Sequence, residues 1–335
     1  MRQTMIRLTV LVAAAALVTV LPGSASAAVQ GICSNCHTMH YSQGGTSMHT
    51  GWGTGGPYTT LLLNDCLGCH TTTGSDPLVG AYPYVKLGSG ATNDNCLAGG
   101  FFRTAGPQTG DNNSNENHDI GATAAPAGFD GAETTWYTGT TNGLGCAGTN
   151  GCHGNQSDLD DMAAISGGHH SPSAYRMLYV GSAGVTGSGV GTNDYEEALI
   201  SSPSTTAYYN VYSADVSGDT TISELCAKCH GDFHNESGST TDCGTAGAWI
   251  RHPTDNLIPT SWAISSNVGP DDLKWNPPGY AGATVTAGAE RVTCISCHRA
   301  HGTAENDLLR FNYGTQLAGQ TSSTVGCLGC HDRQR

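Results

Sequence analysis

The sequence carries five copies of a short motif in which two cysteines are separated by two residues and followed directly by a histidine. Two thiols spaced three positions apart can add to the two vinyl groups on one edge of a haem, and the adjacent imidazole then points at the iron. At this composition chance predicts on the order of 0.02 copies, so the repetition is itself a signal. The motif therefore predicts five covalent c-type haem sites. The copies are Cys33/Cys36/His37, Cys66/Cys69/His70, Cys226/Cys229/His230, Cys294/Cys297/His298 and Cys327/Cys330/His331.

Zinc and disulfides are the alternatives for paired cysteines. Structural zinc sites often use two residues between cysteines, but they do not require a histidine directly after each pair. A disulfide within each motif leaves that histidine equally unexplained. We therefore favour haem attachment over both.

A sixth, variant site is predicted around Cys146, Cys152 and His153, where five residues separate the cysteines. The intervening segment is rich in glycine and asparagine, so it can loop out and bring the two thiols together. A disulfide or an isolated Cys-His pair is the alternative. Twelve of the 14 cysteines are then assigned, and Cys96 and Cys243 remain as a disulfide candidate for an oxidising compartment.

Axial ligands for the opposite face of each iron must come from the other histidines. Six of the 14 histidines lie in motifs, which leaves eight for six distal positions. Three of them follow a motif histidine by three or four residues, too close to reach the opposite face of the same iron, so we expect them to bind an adjacent haem. These three are His40, His234 and His301, and the other five are His49, His118, His169, His170 and His252.

Residues 1–27 read as a secretory signal peptide. Arg2 and Arg7 precede an apolar run over 8–21, and Ala25-Ser26-Ala27 fits the small-residue cleavage rule. No other apolar stretch approaches the ~18 residues of a membrane span, so we expect a secreted chain without one. Residues 28–335 are expected to form a single multihaem domain.

Composition argues against a large core of side chains. Apolar residues make up 38% of the chain, 47 residues are glycine and only five are phenylalanine. The net charge of −14 excludes nucleic acid and anionic lipid as partners, since both need a basic face. The predicted fold is a multihaem cytochrome c, mostly coil with short helices wrapped around a linear chain of stacked haems and little or no sheet.

Three short helices have recognisable start signals. Thr221 and Glu224 form a capping box before Cys226 and predict a helix that carries the fourth site. Ser171-Pro172 predicts a helix through 174–179, and Asp194 predicts another through 197–200. We expect isolated two-residue ladders and no large sheet.

The chain resembles the OmcS-type hexahaem cytochromes, extracellular proteins that polymerise into conductive filaments. The resemblance begins at Cys33-Ser-Asn-Cys36-His37-Thr-Met-His40 and keeps its order to the terminal Cys327–His331. The flanking residues carry the specificity, since the haem motif alone occurs in many multihaem proteins. They are Asn117-His118, Ala174-Tyr-Arg-Met-Leu178, Leu225 to Asn235, Ile250-Arg-His252-Pro253, Cys294 to His301 and Arg310-Phe-Asn312.

This resemblance implies ligand roles. It implies that His40 binds a haem in the next subunit of a head-to-tail homopolymer, while His118, His234, His252 and His301 are distal ligands within the chain. The family has an ordinary motif and a nearby distal histidine at the third site, so His169 or His170 must substitute here. His49 has no counterpart and stays a spare.

Electron transfer along bis-His haems is the predicted function, because closing both axial positions leaves no iron for a substrate. The resemblance implies an extracellular filament fed by an outer-membrane conduit and delivering electrons to extracellular acceptors. A monomeric periplasmic shuttle is the alternative. A multihaem reductase is the third hypothesis, and the variant Cys146/Cys152/His153 site is the place where it would act.

Overall fold

The computed structural model describes part of the chain, concentrated around the cysteine motifs. It covers residues 32–37, 42–43, 46–47, 61–62, 66–72, 78–79, 82–83, 85–87, 99–100, 118, 144–166, 169, 174–190, 209–214, 220–230, 252, 254–260, 279–282, 286, 288–303, 305–317 and 326–331.

Helices in these regions are short and mostly begin at or contain a motif cysteine. The α-helices are α1 Cys66–Cys69, α2 Asp161–Ala164, α3 Ile222–Ala227, α4 Cys294–Cys297 and α5 Cys327–His331. The 3-10 helices are Cys33–Asn35, Tyr175–Met177, Asn306–Leu308 and Tyr313–Thr315. None of these helices is longer than six residues.

Strands pair two by two, and no larger sheet occurs among the described residues. The strands are β1 Ser42–Gln43, β2 Thr46–Ser47, β3 Thr71–Thr72, β4 Leu78–Val79, β5 Tyr82–Pro83, β6 Lys86–Leu87, β7 Tyr179–Val180, β8 Ala183–Gly184, β9 Gly187–Val190 and β10 Tyr209–Tyr212. β3 and β6 pair in parallel, while β1–β2, β4–β5, β7–β8 and β9–β10 are antiparallel. The expected coil with isolated ladders and short helices is confirmed.

Two small apolar clusters pack beside the motifs. The first joins β7–β10 to α3 and consists of Leu178, Val185, Tyr212, Ile222 and Leu225. The second packs α2 against the variant site and consists of Ala147, Met162, Ala164 and Ile165. Each cluster fixes one motif locally, and neither is large enough to organise a chain of this length by itself.

The capping box expected before Cys226 is present on its hydroxyl side. The Glu224 backbone N–H donates to Thr221 Oγ1 at 3.0 Å, at the start of α3. Thr221 Oγ1 in turn donates to Asp255 Oδ2 at 2.9 Å, and Ser223 Oγ donates to Asp255 Oδ1 at 2.8 Å. The buried Asp255 carboxylate therefore ties the first turn of α3 to the segment that follows His252.

The end of α3 corrects the expectation that this helix carries the whole fourth site. The helix ends at Ala227, so Cys226 lies inside it, whereas Cys229 lies in the turn that follows and His230 lies beyond that turn. The Cys229 N–H donates to the Cys226 carbonyl at 3.2 Å, a bond between residues three apart that tightens the backbone. The expected helix therefore forms from its predicted cap and holds Cys226, while a tight turn after it places the half-buried Cys229.

The prediction of a helix through 174–179 is wrong. Tyr175–Met177 forms one 3-10 turn in which Arg176 has φ 54°, and the chain then enters β7. Contacts with the variant site dictate this conformation in place of the local helical preference. The signal peptide over 1–27 and the helix expected through 197–200 lie outside the described residues. Among the helices that the structure describes, none has the length and apolar character needed to cross a bilayer.

Candidate haem sites

The motif histidines are fixed by a recurring backbone hydrogen bond. The histidine N–H donates to the carbonyl oxygen of the first cysteine at 2.8 Å in the first and second sites and at 3.0 Å in the fourth and fifth. The second cysteine N–H also donates to this carbonyl in two sites, from Cys36 at 3.1 Å and from Cys229 at 3.2 Å. The carbonyl oxygen of the first cysteine therefore accepts the hydrogen bonds that hold the backbone of a motif together.

The variant site reproduces this arrangement despite its longer spacing. Cys152 N–H and His153 N–H donate to the Cys146 carbonyl at 3.2 and 3.0 Å. The inserted residues close into a loop in which Gly145 N–H donates to the Asn150 carbonyl at 2.9 Å. The insertion therefore leaves the two cysteines and the histidine in the relation that the ordinary motifs have.

Two features of the loop explain why this spacing is tolerated. Gly148 has φ 75°, and a Cβ there would lie 2.4 Å from the Asp158 carbonyl oxygen, so the position needs glycine. The Cys146 N–H donates to Asp161 Oδ2 at 2.9 Å, which holds the start of the loop against α2. The sequence analysis did not identify Asp161 as a residue of this site. The available signal was the pair Asp160-Asp161, which is typical of the start of a helix.

The side chain of Asn150 is a second unusual feature of the loop. Asn150 is buried, and neither its Nδ2 nor its Oδ1 has a hydrogen-bond partner among the described residues. A buried amide without partners is costly, and it indicates that a polar group is missing from the surroundings. The Asn150 amide therefore has a polar contact to offer to a bound group.

Thiols of successive sites lie next to each other. Cys66 Sγ, Cys146 Sγ and an Asp161 carboxylate oxygen all lie within 4.8 Å of one another, which joins the second site to the third. The same three atoms could hold a metal ion if both thiols were unmodified. Thioether formation would consume both sulfurs, so we interpret the cluster as a contact between neighbouring attachment sites.

The later sites continue this order. A hydrogen bond with the Cys294 thiol raises the pKa of Cys226 well above its usual value, which joins the fourth site to the fifth. Burial, together with the neighbouring thiols of Cys330 and Cys327, raises the pKa of Cys297 to about 12 and joins the fifth site to the sixth. Contacts between sites therefore follow motif order from the second to the third and from the fourth to the sixth.

Four motif histidines each face a histidine from outside their own motif. The ring centroids are 6.4 Å apart for His70 and His169, 6.4 Å for His153 and His301, 6.1 Å for His230 and His118, and 6.1 Å for His331 and His252. Each pair joins histidines that are distant in sequence. This repeated separation is the central geometric feature of the structure.

The separation fits a metal between the rings. An imidazole nitrogen binds a metal at about 2 Å and the ring centre lies about 1 Å beyond it, so two imidazoles on opposite sides of one ion have centroids about 6 Å apart. The angles between the ring planes range from 38° to 85°, which such ligands tolerate because each ring can rotate about its metal–nitrogen axis. The residues present therefore fit a haem iron at these four sites.

Burial keeps several of these imidazoles in the form that binds metal. Desolvation lowers the pKa of His301 to about 3 and that of His230 to about 4, and it also lowers the pKa of His118 and His153. A neutral imidazole has a free nitrogen lone pair, whereas the imidazolium has none. These side chains are therefore ready to bind a metal at neutral pH.

Two of the expected distal histidines are oriented by backbone carbonyls. His118 Nδ1 lies 2.5 Å from the Ala300 carbonyl, and His301 Nδ1 lies 3.3 Å from that of Gly100. A carbonyl oxygen can only accept, so each imidazole donates from Nδ1 and keeps the lone pair on Nε2. Nε2 is therefore the nitrogen that each ring has available for a metal.

The structure differs from the expectation for the third site. His169, expected with His170 as the substitute ligand there, lies beside His70 of the second site, and His301 occupies the position opposite His153. His169 and His170 follow His153 in the chain, whereas the ring that faces His153 comes from the segment after the fifth motif. The remaining candidates His40, His49, His170 and His234, and the pair Cys96 and Cys243, lie outside the described residues.

Comparison with known proteins finds one relative that is similar over most of the chain and one family model that matches its end. A protein-family model for a doubled CXXCH motif matches residues 285–335, which contain the fifth and sixth sites. The C-type cytochrome OmcS of Geobacter sulfurreducens is 27% identical over 90% of this chain and 84% of its own length. The chain is therefore similar to OmcS over most of its length, and its end matches the doubled CXXCH motif.

Two solved structures of OmcS are also similar to the chain. One is described as the outer membrane cytochrome S filament from Geobacter sulfurreducens, with a TM-score of 0.47, 19% identity and 84% of each chain covered. The other is a cryo-EM structure of OmcS nanowires, with a TM-score of 0.47, 21% identity and coverage of 90% of this chain and 88% of that chain.

Proposed function

We propose that the chain is a secreted hexahaem c-type cytochrome that carries electrons outside the cell and assembles head to tail into a filament. The observation that carries this proposal is the set of four histidine pairs with ring centroids 6.1–6.4 Å apart. Haem c binding itself is supported by the repeated motif and by the similarity to OmcS. A haem, when bound, supplies an iron that accepts and releases one electron.

The proposed ligand pairs follow from that geometry. His70 and His169 would hold the iron of the second site, and His153 and His301 that of the third. His230 would pair with His118, and His331 with His252. The two other motif histidines are His37 and His298, and we assign His234, together with His40 from the neighbouring subunit, as the ligands opposite them.

Six haems are favoured over five by the backbone of the variant site. Its hydrogen bonds to the Cys146 carbonyl match those of the ordinary motifs, and His153 faces His301 as the other motif histidines face their partners. We therefore assign Cys146 and Cys152 to thioether bonds and His153 to the iron. The unpartnered Asn150 amide supports a bound group at this loop.

Close contact between successive sites supports electron transfer through the chain. The Cys66 and Cys146 thiols lie within 4.8 Å of each other, a hydrogen bond joins the Cys226 and Cys294 thiols, and the thiols of the sixth site are close enough to raise the pKa of Cys297. The bound groups of these neighbouring sites would therefore lie close together. An electron carrier needs such proximity and no open iron position, whereas a reductase needs an open position for its substrate. The proposed saturation with histidine therefore favours a carrier over an enzyme.

Filament formation and export are proposed from the relative. OmcS is known from filament structures, and this chain covers most of its length. Residues 1–27 would direct export, His40 would bind a haem in the next subunit, and the partners would be an outer-membrane conduit and extracellular acceptors.

The experiment that tests the electron-carrier proposal is electron paramagnetic resonance of the oxidised protein purified with its haems. Histidine on both faces of each iron makes every haem low-spin, so we expect low-spin signals only. A high-spin signal amounting to one haem or more per chain would contradict saturation with histidine. It would direct attention to an open iron position and to reductase activity.

A further inference from the structure

Two motif histidines are held by carbonyl groups from the same kind of turn. His153 Nδ1 lies 2.8 Å from the Arg176 carbonyl oxygen, and His298 Nδ1 lies 2.6 Å from that of Asp307. Because a carbonyl oxygen can only accept, each imidazole donates from Nδ1 and keeps its lone pair on Nε2. Each histidine is therefore fixed in the tautomer that can bind iron.

The turns that supply these carbonyls have an unusual backbone. Arg176 and Asp307 have φ 54° and 59°, and the residues that follow them, Met177 and Leu308, both have φ 56°. Two successive left-handed residues without glycine are disfavoured, because each Cβ approaches the following carbonyl oxygen. A strained conformation that occurs twice next to the same kind of residue points to a role at that residue.

At the third site the turn contacts the motif in three consecutive steps. The Arg176 carbonyl accepts from His153 Nδ1, and the Met177 carbonyl accepts from the Gly154 N–H at 2.7 Å. Leu178 then forms an antiparallel bridge with His153. The Arg176 carbonyl therefore orients the His153 ring, and Met177 and Leu178 hold the backbone of His153 and Gly154.

The fifth site repeats these steps in order. The Asp307 carbonyl accepts from His298 Nδ1, and the Leu308 carbonyl accepts from the Arg299 N–H at 2.8 Å. Leu309 forms an antiparallel bridge with His298. The side chains of the two turns share little, so the repetition lies in the backbone.

The first site shows the part of this arrangement that the described residues cover. Leu61 has φ 54° and precedes Leu62, which forms an antiparallel bridge with His37. Thr60, the corresponding carbonyl residue by position, lies outside the described residues. The arrangement thus occurs in whole at the third and fifth sites and in part at the first.

Buried hydrogen bonds oppose relaxation of the turn at the fifth site. Arg310 is buried, and its Nε donates to the Ile295 carbonyl at 2.6 Å and to the His298 carbonyl at 3.1 Å. Its backbone N–H donates to the Cys297 carbonyl at 2.9 Å. The residue directly after the bridge is therefore locked to α4, which holds the left-handed pair in place.

We propose that the left-handed turn is a positioning element for the iron-binding histidines of the third and fifth sites, with Arg176 and Asp307 as its positioning residues. By accepting a hydrogen bond from Nδ1–H, the carbonyl makes the imidazole a stronger electron donor to the oxidised iron and lowers the reduction potential of that haem. This inference rests on the proposed haem function and extends it to one determinant of the reduction potentials of these two haems.

The test compares Asp307→Ile with Asp307→Gly in the complete protein carrying its haems. Both changes remove the carboxylate, so the loss of its negative charge shifts the reduction potential equally in the two variants. Glycine adopts positive φ freely, whereas a β-branched residue strongly disfavours it. Spectroelectrochemical titration should show one haem at higher potential in Asp307→Ile than in Asp307→Gly, with the other haems unchanged.

Identical titrations of the two variants would overturn the positioning role. If Asp307→Ile does not accumulate, proton NMR of the oxidised wild-type protein gives a second test. Slowly exchanging Nδ1–H resonances of the ligands at the third and fifth sites support the proposal, and fast exchange of both contradicts it. Intact mass of the wild-type protein distinguishes failure of the positioning proposal from failure of the proposed function, because only a chain without haem refutes the function itself.

Discussion

Among single residues, four motif histidines each face a histidine from a distant segment, with ring centroids 6.1–6.4 Å apart. The motif histidines could be recognised from spacing because the thioether chemistry dictates their neighbours. Their partners come from distant segments, as His169 does for His70, and no local pattern encodes that pairing. The number of candidates could be counted from the sequence, whereas the assignment required the structure.

Adjacent histidines allow a matched test of one assignment. His169→Ala should remove the distal ligand of the second site and convert one haem to the high-spin state, because alanine cannot bind iron. His170→Ala is the control, since His169 faces His70 in the described residues. Electron paramagnetic resonance of the two oxidised variants measures this difference. A high-spin haem in His170→Ala and none in His169→Ala would reverse the assignment.

Asp161 allows a test of the variant site at the same scale. Its carboxylate accepts from the Cys146 N–H, and leaving such a donor without a partner costs about 1–3 kcal/mol when it is shielded from water. Asp161→Ala should therefore leave a fraction of chains with incomplete attachment at Cys146 and Cys152. Alkylation of free thiols followed by mass spectrometry would detect it.

Asp158→Ala is the control for that experiment. Asp158 lies near the same loop, but its side chain accepts from the Asn155 side chain in an exposed hydrogen bond. This variant should retain complete attachment. Equal alkylation of both variants would show that Asp161 does not hold the variant loop.

Short elements of this protein are specified by the sites rather than by propensity. The start of α3 could be predicted because Thr221 and Glu224 act locally, within one turn. Its end before Cys229 could not, since the turn there serves the attachment site. The segment 174–178 resembles a helix by residue type, but its carbonyls accept from His153 and Gly154. Tertiary contacts therefore override the local preference where the chain touches a motif histidine.

The first turn of α3 gives a prediction for stability. Thr221→Ala removes the N-cap acceptor for Glu224 and one hydroxyl donor to the buried Asp255 carboxylate. We expect it to lower the free energy of unfolding by about 2 kcal/mol. Thr221→Ser retains the hydroxyl and should lose much less. Chemical denaturation monitored by haem absorbance measures both, and equal stability of the two variants would contradict the role of this hydroxyl.

At the scale of the whole molecule, we expect the proposed haems to supply the core that the side chains do not. The described side chains form two small clusters, while motif thiols of successive sites lie against one another. The low apolar content and abundant glycine of the sequence had predicted that the side chains would not form a large core. The contacts between sites could not be predicted, because they join segments separated by long stretches of low sequence complexity.

Assembly is the prediction that belongs to the whole molecule. His40→Ala should remove the ligand that joins one subunit to the next, so purified protein should remain as single particles in negative-stain electron microscopy. His49→Ala is the control, because His49 has no proposed iron to bind, and it should still form filaments. Filaments of normal length from His40→Ala would refute the intermolecular ligand.

Intact mass of the secreted wild-type protein is the most direct test of the central claim, that a row of covalently bound haems is the scaffold of this chain. The account predicts residues 28–335 carrying six haems, with none of the 12 motif cysteines of the six sites available for alkylation. A folded protein without haem, or one in which Cys146 and Cys152 react as free thiols beside five haems, would contradict it.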